Sequence, residues 1–253
     1  MKERVLAELQ RIERVKNVRV LLAVESGSRA WGFASPDSDY DVRFVYVNPR
    51  EWYLSLFEHR DVIEEMLPGD LDVSGWDLRK ALRLFCKCNL AFNEWLLSPQ
   101  TYFEVGSFRA QLVQLIPQFF NPIAGIQHYR RTAESSLNEH LTDGRIKIKK
   151  LFYVLRPLLA CRWIKHRRDQ PPTEFRSLVA SDWVTADEQN WIEGLLSRKA
   201  AAQEAELIDV AGARVDAIRV ELDGFRDASL VPPPTKSATD VLDDLLRAWT
   251  REQ

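Results

Sequence analysis

The stretch Glu25-Ser-Gly-Ser-Arg-Ala-Trp-Gly-Phe-Ala-Ser-Pro-Asp-Ser-Asp-Tyr-Asp-Val-Arg-Phe44 decides the fold that this sequence predicts. An apolar, β-branched run at 18–24 leads into it, and a second run at 42–47 ends it, so the pattern predicts two strands. Between them, the small-residue turn at Gly27 and Ser28 can offer backbone N–H groups to a phosphate. The stretch therefore predicts a phosphate cradle between two buried strands.

Two acids, Asp39 and Asp41, stand two positions apart just before the second strand. Residues i and i+2 of a strand point to the same face, so the two carboxylates are expected to lie together. Crowded carboxylates repel each other unless a cation lies between them, and Mg²⁺ prefers carboxylate and phosphate oxygens. The alternative is a plain turn, because Asp-Ser-Asp-Tyr-Asp is rich in turn formers. The position behind Gly27-Ser28 and ahead of a strand favours a metal site.

Two further acids, Asp72 and Asp77, lie in the next segment. The runs 61–66 and 71–76 predict two strands around a Pro-Gly-Asp turn, and Asp72 is in the second. If that strand lies beside the strand of Asp41, Asp72 adds a third carboxylate to the metal site; otherwise it is an exposed strand residue. Asp77 precedes a strongly periodic run and is predicted to be a helix N-cap.

The second half of the chain shows helical spacing only. From about Gly106 the apolar stripes run through 108–115, 126–141, 146–164, 183–202 and 204–225, which predicts an all-helical region. We therefore expect two domains, 1–105 and 106–253. The residues after about 230 follow a Pro-Pro-Pro run and are expected to form a flexible tail with one short amphipathic helix.

One edge of the helix predicted at 146–164 carries cationic side chains. Lys149, Tyr153 and Arg156 fall at i, i+4 and i+7, which places two cations and a phenol on one continuous edge. Such an edge can be merely solvated. Alternatively, together with a phosphate cradle elsewhere in the chain, it can bind phosphate groups.

Composition excludes several classes of protein. The 253 residues are 45% hydrophobic and 28% charged, with 35 Lys plus Arg against 37 Asp plus Glu and a net charge of -2. This balance gives no support to a bulk nucleic-acid coat, although a local basic patch stays open. The three cysteines form no metal-ligand set. The N-terminus lacks a signal-peptide core and no apolar run is long enough to span a bilayer, so we expect a cytoplasmic protein with no membrane contact.

The assembled pattern of Gly27-Ser28, Asp39-Tyr40-Asp41 and a later strand acid resembles the polymerase-beta nucleotidyltransferase superfamily. Within it, the blocks GSRAWGFASPDSDYDVRF, VSGWDLRKAL, NEWLLSP and KIKKLFYVLRPLLACRWI are similar to the RlaP family, a group named for a proposed place in RNA repair. Together they span roughly residues 25–165. One departure is Asn89-Leu90, where the family usually has Asn-Pro.

The resemblance implies an α+β fold. A mixed sheet with helices would form the polymerase-beta-like nucleotidyltransferase domain, and a C-terminal α-helical domain would close over the nucleotide. It also implies transfer of a nucleoside monophosphate from an NTP to an acceptor hydroxyl, with release of pyrophosphate. Two Mg²⁺ ions would take part, with Mn²⁺ as the alternative, and they would stabilise the entering and leaving oxygens.

The resemblance also implies a role for each candidate residue. Asp39 and Asp41 would bind the metal that carries the triphosphate, and Asp72 would complete the second metal site. The remaining six residues would bind the nucleotide: Gly27, Ser28 and Arg29 at the phosphates, and Lys149, Tyr153 and Arg156 from the helical domain.

The acceptor and the activity itself stay open at this point. The family's name favours an RNA end, while the net charge leaves a protein side chain or a small molecule possible. A non-catalytic nucleotide-binding or adaptor protein that keeps the fold is the second class.

Overall fold

The protein is described here by a computed structural model that covers residues 1–66, 69–201, 206–226 and 239–251. The proline run of the predicted tail, and part of the turn predicted before Asp72, lie outside these residues. The chain forms two compact units. The first comprises Met1–Ala30, Asp39–Phe119 and the C-terminal helix, and the second comprises Trp31–Ser38 and the described residues from 120 to 226.

The first unit is built on a mixed five-stranded sheet. Its elements are α1 (Lys2–Lys16), β1 (Arg19–Ser26), α2 (Gly27–Ala30), β2 (Tyr40–Val47), α3 (Arg50–Tyr53), β3 (Val62–Met66), β4 (Leu71–Asp77), α4 (Leu78–Cys86), α5 (Leu90–Leu96), β5 (Thr101–Glu104), α6 (Phe108–Phe119) and α12 (Thr239–Arg251). The strand order is β3-β4-β2-β1-β5, in which β2 and β4 run parallel and every other neighbouring pair is antiparallel. The α+β fold and the mixed sheet are therefore confirmed.

The core of this unit lies between the sheet and its helices. Strand β1 is buried through its whole middle, as its continuous β-branched run predicted. Helix α1 presents Val5, Leu9 and Ile12 to the same cluster as Val20 and Phe44 of the sheet. The apolar face of α1 and buried residues of β1 thus pack together in one core cluster.

Helix α12 belongs to the first unit although it is last in the chain. The Trp249 indole is buried, packs edge-on against Phe108 with ring centroids 5.4 Å apart, and donates to Oε1 of Gln111 at 3.1 Å. Arg19 donates to the Trp249 carbonyl at 3.1 Å. The short amphipathic helix predicted in the tail is thereby docked on α6 and β1.

The second unit is mainly helical. Its elements are α7 (Pro122–His140), β6 (Arg145–Lys147), α8 (Ile148–Arg167), α9 (Phe175–Val179), α10 (Ala186–Ala201), β7 (Leu207–Asp209) and α11 (Gly212–Gly224). The segment Trp31–Ser38 is packed into this unit, since Phe33 stacks on Phe152 with ring centroids 5.0 Å apart. The buried ammonium of Lys199 donates to the Phe33 carbonyl at 2.6 Å.

Three details of the sequence-based prediction are wrong. The second half is not all helical, because β6 and β7 pair antiparallel as a two-stranded sheet, and the helix predicted at 204–225 begins only at Gly212. Strand β5 was not predicted. Strands of three or four residues are too short to display a two-residue alternation, so they carry little pattern.

The two compact units also divide the chain differently from the predicted boundary at 105/106. The change falls between Phe119 and Phe120, and the second unit gains Trp31–Ser38 while losing α12. In the described part of the chain, no helix combines the length and the apolar character that crossing a membrane requires.

Candidate active site

The glycine-serine turn directly follows strand β1. Gly27 has a backbone φ of +61°, which L-residues rarely adopt. A Cβ at this position would lie 2.1 Å from Oδ2 of Asp41, far inside any allowed contact. Glycine is therefore required here for two separate reasons, and the main chain of the turn touches the Asp41 carboxylate. Ser28, the second predicted phosphate ligand, is buried at the start of the short helix α2.

Asp41 and Asp72 are direct neighbours in the sheet. They are register partners in the parallel pair of β2 and β4, so their side chains emerge on the same face. One guanidinium nitrogen of Arg43 lies 3.2 Å from Oδ1 of Asp41 and 2.7 Å from Oδ2 of Asp72. The structure thus brings together two of the three predicted carboxylates, with a cationic side chain between them.

Asp39 lies outside this pair. It is exposed and immediately precedes β2, and its carbonyl oxygen accepts a hydrogen bond from Nε of Arg29 at 3.1 Å. The Arg29 guanidinium also stacks over the Tyr40 ring, 3.7 Å from its centroid. Arg29, predicted to help bind phosphates, therefore fastens the loop that leads into the strand of Asp41.

The donor set can be tested for its fit to a divalent cation. Within residues 1–66, 69–201, 206–226 and 239–251, no three His, Cys, Asp or Glu side chains converge closely enough to hold a metal ion. The pair Asp41–Asp72 nevertheless offers hard oxygen donors, and both carboxylates already hold one positive group, the guanidinium of Arg43. The chemistry of the pair fits Mg²⁺ or Mn²⁺, with Asp39, two residues before Asp41, as a further acid.

A fourth acid, Glu25, was not singled out from the sequence. Its side chain is fully buried at the end of β1. Oε1 accepts the backbone N–H of Asp41 at 2.9 Å, and Oε2 accepts a short hydrogen bond from the Tyr102 hydroxyl. Burial raises the pKa of the Glu25 carboxyl above its ordinary value, while the Tyr102 hydrogen bond acts in the opposite direction. The signal available in the sequence was a single acid ending an apolar strand run.

Asp77 has the structural role that its position predicted. It is the N-cap of α4, and its Oδ1 accepts the backbone N–H of Arg79 at 2.8 Å. Oδ2 accepts from Nδ2 of Asn48 at 2.8 Å and from the Tyr53 hydroxyl at 2.6 Å. The carboxyl is fully buried, and this burial raises its pKa.

In the second unit, the three residues of the predicted cationic edge differ in their surroundings. Lys149 and Tyr153 are partly exposed, and the Tyr153 ring packs edge-on against Trp31 at 5.4 Å. Arg156 is buried, with 3% of its surface exposed. Its Nε and one terminal nitrogen donate to the Thr173 carbonyl at 3.3 and 3.2 Å, and its guanidinium covers the Trp31 ring at 4.5 Å.

Comparisons with known proteins agree with this architecture. The profile of the family described as "RlaP: RNA repair pathway DNA polymerase beta family" matches residues 1–248 of the chain. YcgL, an uncharacterized protein of Bacillus subtilis (strain 168), is 46% identical to it over 218 residues, which cover 86% of this chain and 82% of that protein. The chain therefore belongs to the RlaP family of the DNA polymerase beta group.

Proposed function

We propose that this protein is a magnesium-dependent nucleotidyltransferase that transfers a nucleoside monophosphate from an NTP to an acceptor hydroxyl. The observation that carries the proposal is the register of Asp41 with Asp72, two carboxylates side by side, of which Asp41 lies against the glycine turn. Family membership supports the same reaction class.

In the proposed reaction, the acceptor oxygen forms a bond to the α-phosphorus of the NTP. The bond from that phosphorus to its bridging oxygen breaks, and pyrophosphate leaves. Asp72, the more exposed acid of the pair, is the candidate to receive the hydroxyl proton. Gly27 places its main chain next to the Asp41 carboxylate, so a triphosphate held by the turn would share one small surface with that acid.

Asp39, Asp41 and Asp72 are the proposed holders of Mg²⁺ or Mn²⁺. When bound, the metal would neutralise charge on the triphosphate and on the oxygens entering and leaving at phosphorus. Arg43 compensates the two carboxylates in the structure described here, and it would have to give up part of that contact. The chain's own contribution is to hold the acids in register on a rigid sheet.

For the acceptor, we propose an RNA end. The support is the family's description, which refers to an RNA repair pathway. Cys86, Cys88 and Cys161 form no disulfide with one another, which supports a reducing, cytoplasmic location. A protein side chain and a small hydroxyl compound are the alternative acceptors.

The deciding experiment combines each α-labelled NTP with Mg²⁺ and a panel of RNA ends, proteins and small hydroxyl compounds. We expect label transfer to RNA with stoichiometric release of pyrophosphate. The control is the Asp39→Ala plus Asp41→Ala double variant, which should transfer nothing while unfolding in a single cooperative transition. If the wild-type protein transfers no label and releases no pyrophosphate with any acceptor, it is a non-catalytic nucleotide-binding or adaptor protein instead.

A further inference from the structure

The buried carboxylate of Glu25 has no part in the proposed reaction. None of its side-chain surface is exposed, although it carries an ionisable group. Burial of a charged group is unfavourable unless the group is hydrogen-bonded. Both of its oxygens are in fact occupied, one by the Asp41 N–H at 2.9 Å and the other by the Tyr102 hydroxyl.

The hydrogen bond between Glu25 and Asp41 lies at one end of the β1–β2 ladder. Ser26 and Asp41 are register partners in the antiparallel pair of β1 and β2. At this end of the ladder, a side chain of β1 accepts the main-chain N–H of the acid that β2 presents. This hydrogen bond thus holds the main chain of Asp41, the residue whose carboxylate lies against Gly27 and pairs with Arg43.

Glu25 is itself held by the segment Ser98–Tyr102, which begins in the sequence block NEWLLSP. The Ser98 hydroxyl donates to the Glu25 carbonyl at 2.6 Å, and the Glu25 N–H donates to the Gln100 carbonyl at 2.9 Å. The Tyr102 hydroxyl completes the set from the next strand, β5. Main chain and side chain of Glu25 are therefore both fixed by one short segment.

That segment is in turn fixed by one arginine of α6. Arg109 donates to the Leu96 carbonyl at 2.6 Å, to the Ser98 carbonyl at 2.8 Å and to the Thr101 hydroxyl at 2.8 Å. A continuous set of hydrogen bonds thus runs from α6 through the Ser98–Tyr102 segment and Glu25 to the backbone of Asp41.

We propose that Glu25 is a positioning residue for metal binding, and that Ser98 and Tyr102 hold it in place. The inference rests on the proposed function, because Asp41 is there a proposed holder of the metal. Glu25 acts only through Asp41: it fixes the main chain so that the Asp41 carboxylate keeps its place beside Asp72. This assigns a role to the NEWLLSP block, which the proposed reaction does not otherwise use.

The test measures metal affinity in variants of Glu25. In Glu25→Gln an amide oxygen can still accept the Asp41 N–H, whereas in Glu25→Met nothing can. We expect Glu25→Met to need about tenfold more Mg²⁺ for half-maximal pyrophosphate release, as losses of groups that orient metal ligands do. KM for the NTP should change less than twofold, and Glu25→Gln should restore most of the metal affinity. Direct titration with Mn²⁺, followed by electron paramagnetic resonance, should give the same order without any turnover.

A destabilised core variant provides the matched control. Ile12→Ala removes buried surface from the same unit without touching the Glu25 hydrogen bonds, so it should lower the melting temperature and leave the metal midpoint unchanged. If Glu25→Met does not fold, Tyr102→Phe replaces it. That variant removes only one hydroxyl and should shift the metal midpoint in the same direction by a smaller factor.

The outcomes separate the two proposals. Suppose that the wild-type protein is active and that Glu25→Met has the same metal midpoint as the wild type. This result overturns the role of Glu25 and leaves the transferase proposal standing. If Glu25→Met does not fold, an unchanged midpoint in Tyr102→Phe has the same meaning. The same holds if Ile12→Ala shifts the midpoint as much as Glu25→Met does. A wild-type protein that neither binds Mn²⁺ nor releases pyrophosphate overturns both.

Discussion

The acid pair Asp39 and Asp41 of the first unit and the cationic edge of α8 in the second unit were predicted by the same kind of spacing argument. In the first unit, Asp41 meets Asp72 of the neighbouring strand in register, while Asp39 lies exposed just before β2. In the second, Arg156 shares an edge with Lys149 and Tyr153 in sequence but is buried and hydrogen-bonded to Thr173. A spacing rule predicts which side chains share a face. It does not predict what covers that face.

The largest effect that sharpens this comparison is expected at Gly27. In Gly27→Ala the new methyl group would overlap the Asp41 carboxylate in a backbone conformation that alanine disfavours. We expect a loss of about 1–2 kcal/mol of stability and at least a roughly tenfold loss of pyrophosphate release. Gly144→Ala is the control, since Gly144 also has a positive φ of +74° but open space around it. Equal losses of activity in both variants would contradict the steric explanation.

The second effect contrasts Arg156 with Lys149. Arg156→Ala leaves the Thr173 carbonyl without these two donors and removes the cover of Trp31, so unfolding should become easier by about 2 kcal/mol. Lys149→Ala should change stability by less than about 1 kcal/mol and raise KM for the NTP. Urea unfolding and steady-state kinetics on both variants separate the two roles. If Arg156→Ala keeps wild-type stability and raises KM for the NTP, Arg156 contributes to nucleotide binding and not to stability.

A smaller effect is expected at Arg43, the cation between the two acids. In Arg43→Gln the repulsion of Asp41 and Asp72 is no longer compensated, and without metal the loss should be about 0.5–1 kcal/mol. Added Mg²⁺ should then raise the melting temperature of the variant more than that of the wild type. Arg60→Gln, which breaks an exposed ion pair with Glu64, is the matched control. Equal Mg²⁺ responses in all three proteins would place metal binding away from this pair.

The smallest effect concerns pH and Asp77. Because its native pKa is raised, the folded protein binds this proton more tightly than the unfolded chain does. Its contribution to stability is fully present below the unfolded pKa of about 4 and is lost as pH rises through the native value. Asp77→Asn keeps an oxygen that can accept the Arg79 N–H but does not titrate. Its stability should therefore decline less than that of the wild type between pH 4 and neutrality, measured by urea unfolding at each pH. Identical slopes would refute the assignment.

Much of the first unit could be predicted from the sequence, because its patterns are local. The β-branched run of β1, the periodic apolar stripe of α4 and the acid in front of that stripe each specify one element by themselves. The strand that carries Asp72 could also be predicted, but its position beside β2 was left open, and the parallel pairing of β2 with β4 provides it.

The remaining features depend on contacts between distant segments. The stacking of Arg156 on Trp31 and the hydrogen bond from Tyr102 to Glu25 join residues far apart in sequence. Strands as short as β6 and β7 obtain their conformation from pairing, so their own residues carry little signal. Such contacts arise only in the folded chain and leave no local pattern in the sequence.

The path of the chain has a practical consequence. Residues 31–38 pack into the second unit while both flanking segments belong to the first, and α12 returns to the first unit at the end of the chain. Neither unit is therefore a continuous piece of polypeptide. Truncation at any one residue cannot yield either unit whole, and one proteolytic cut cannot release an intact half. Any attempt to study the first unit alone has to replace residues 31–38 with a linker and reattach α12, and the linker must still join the glycine-serine turn to β2.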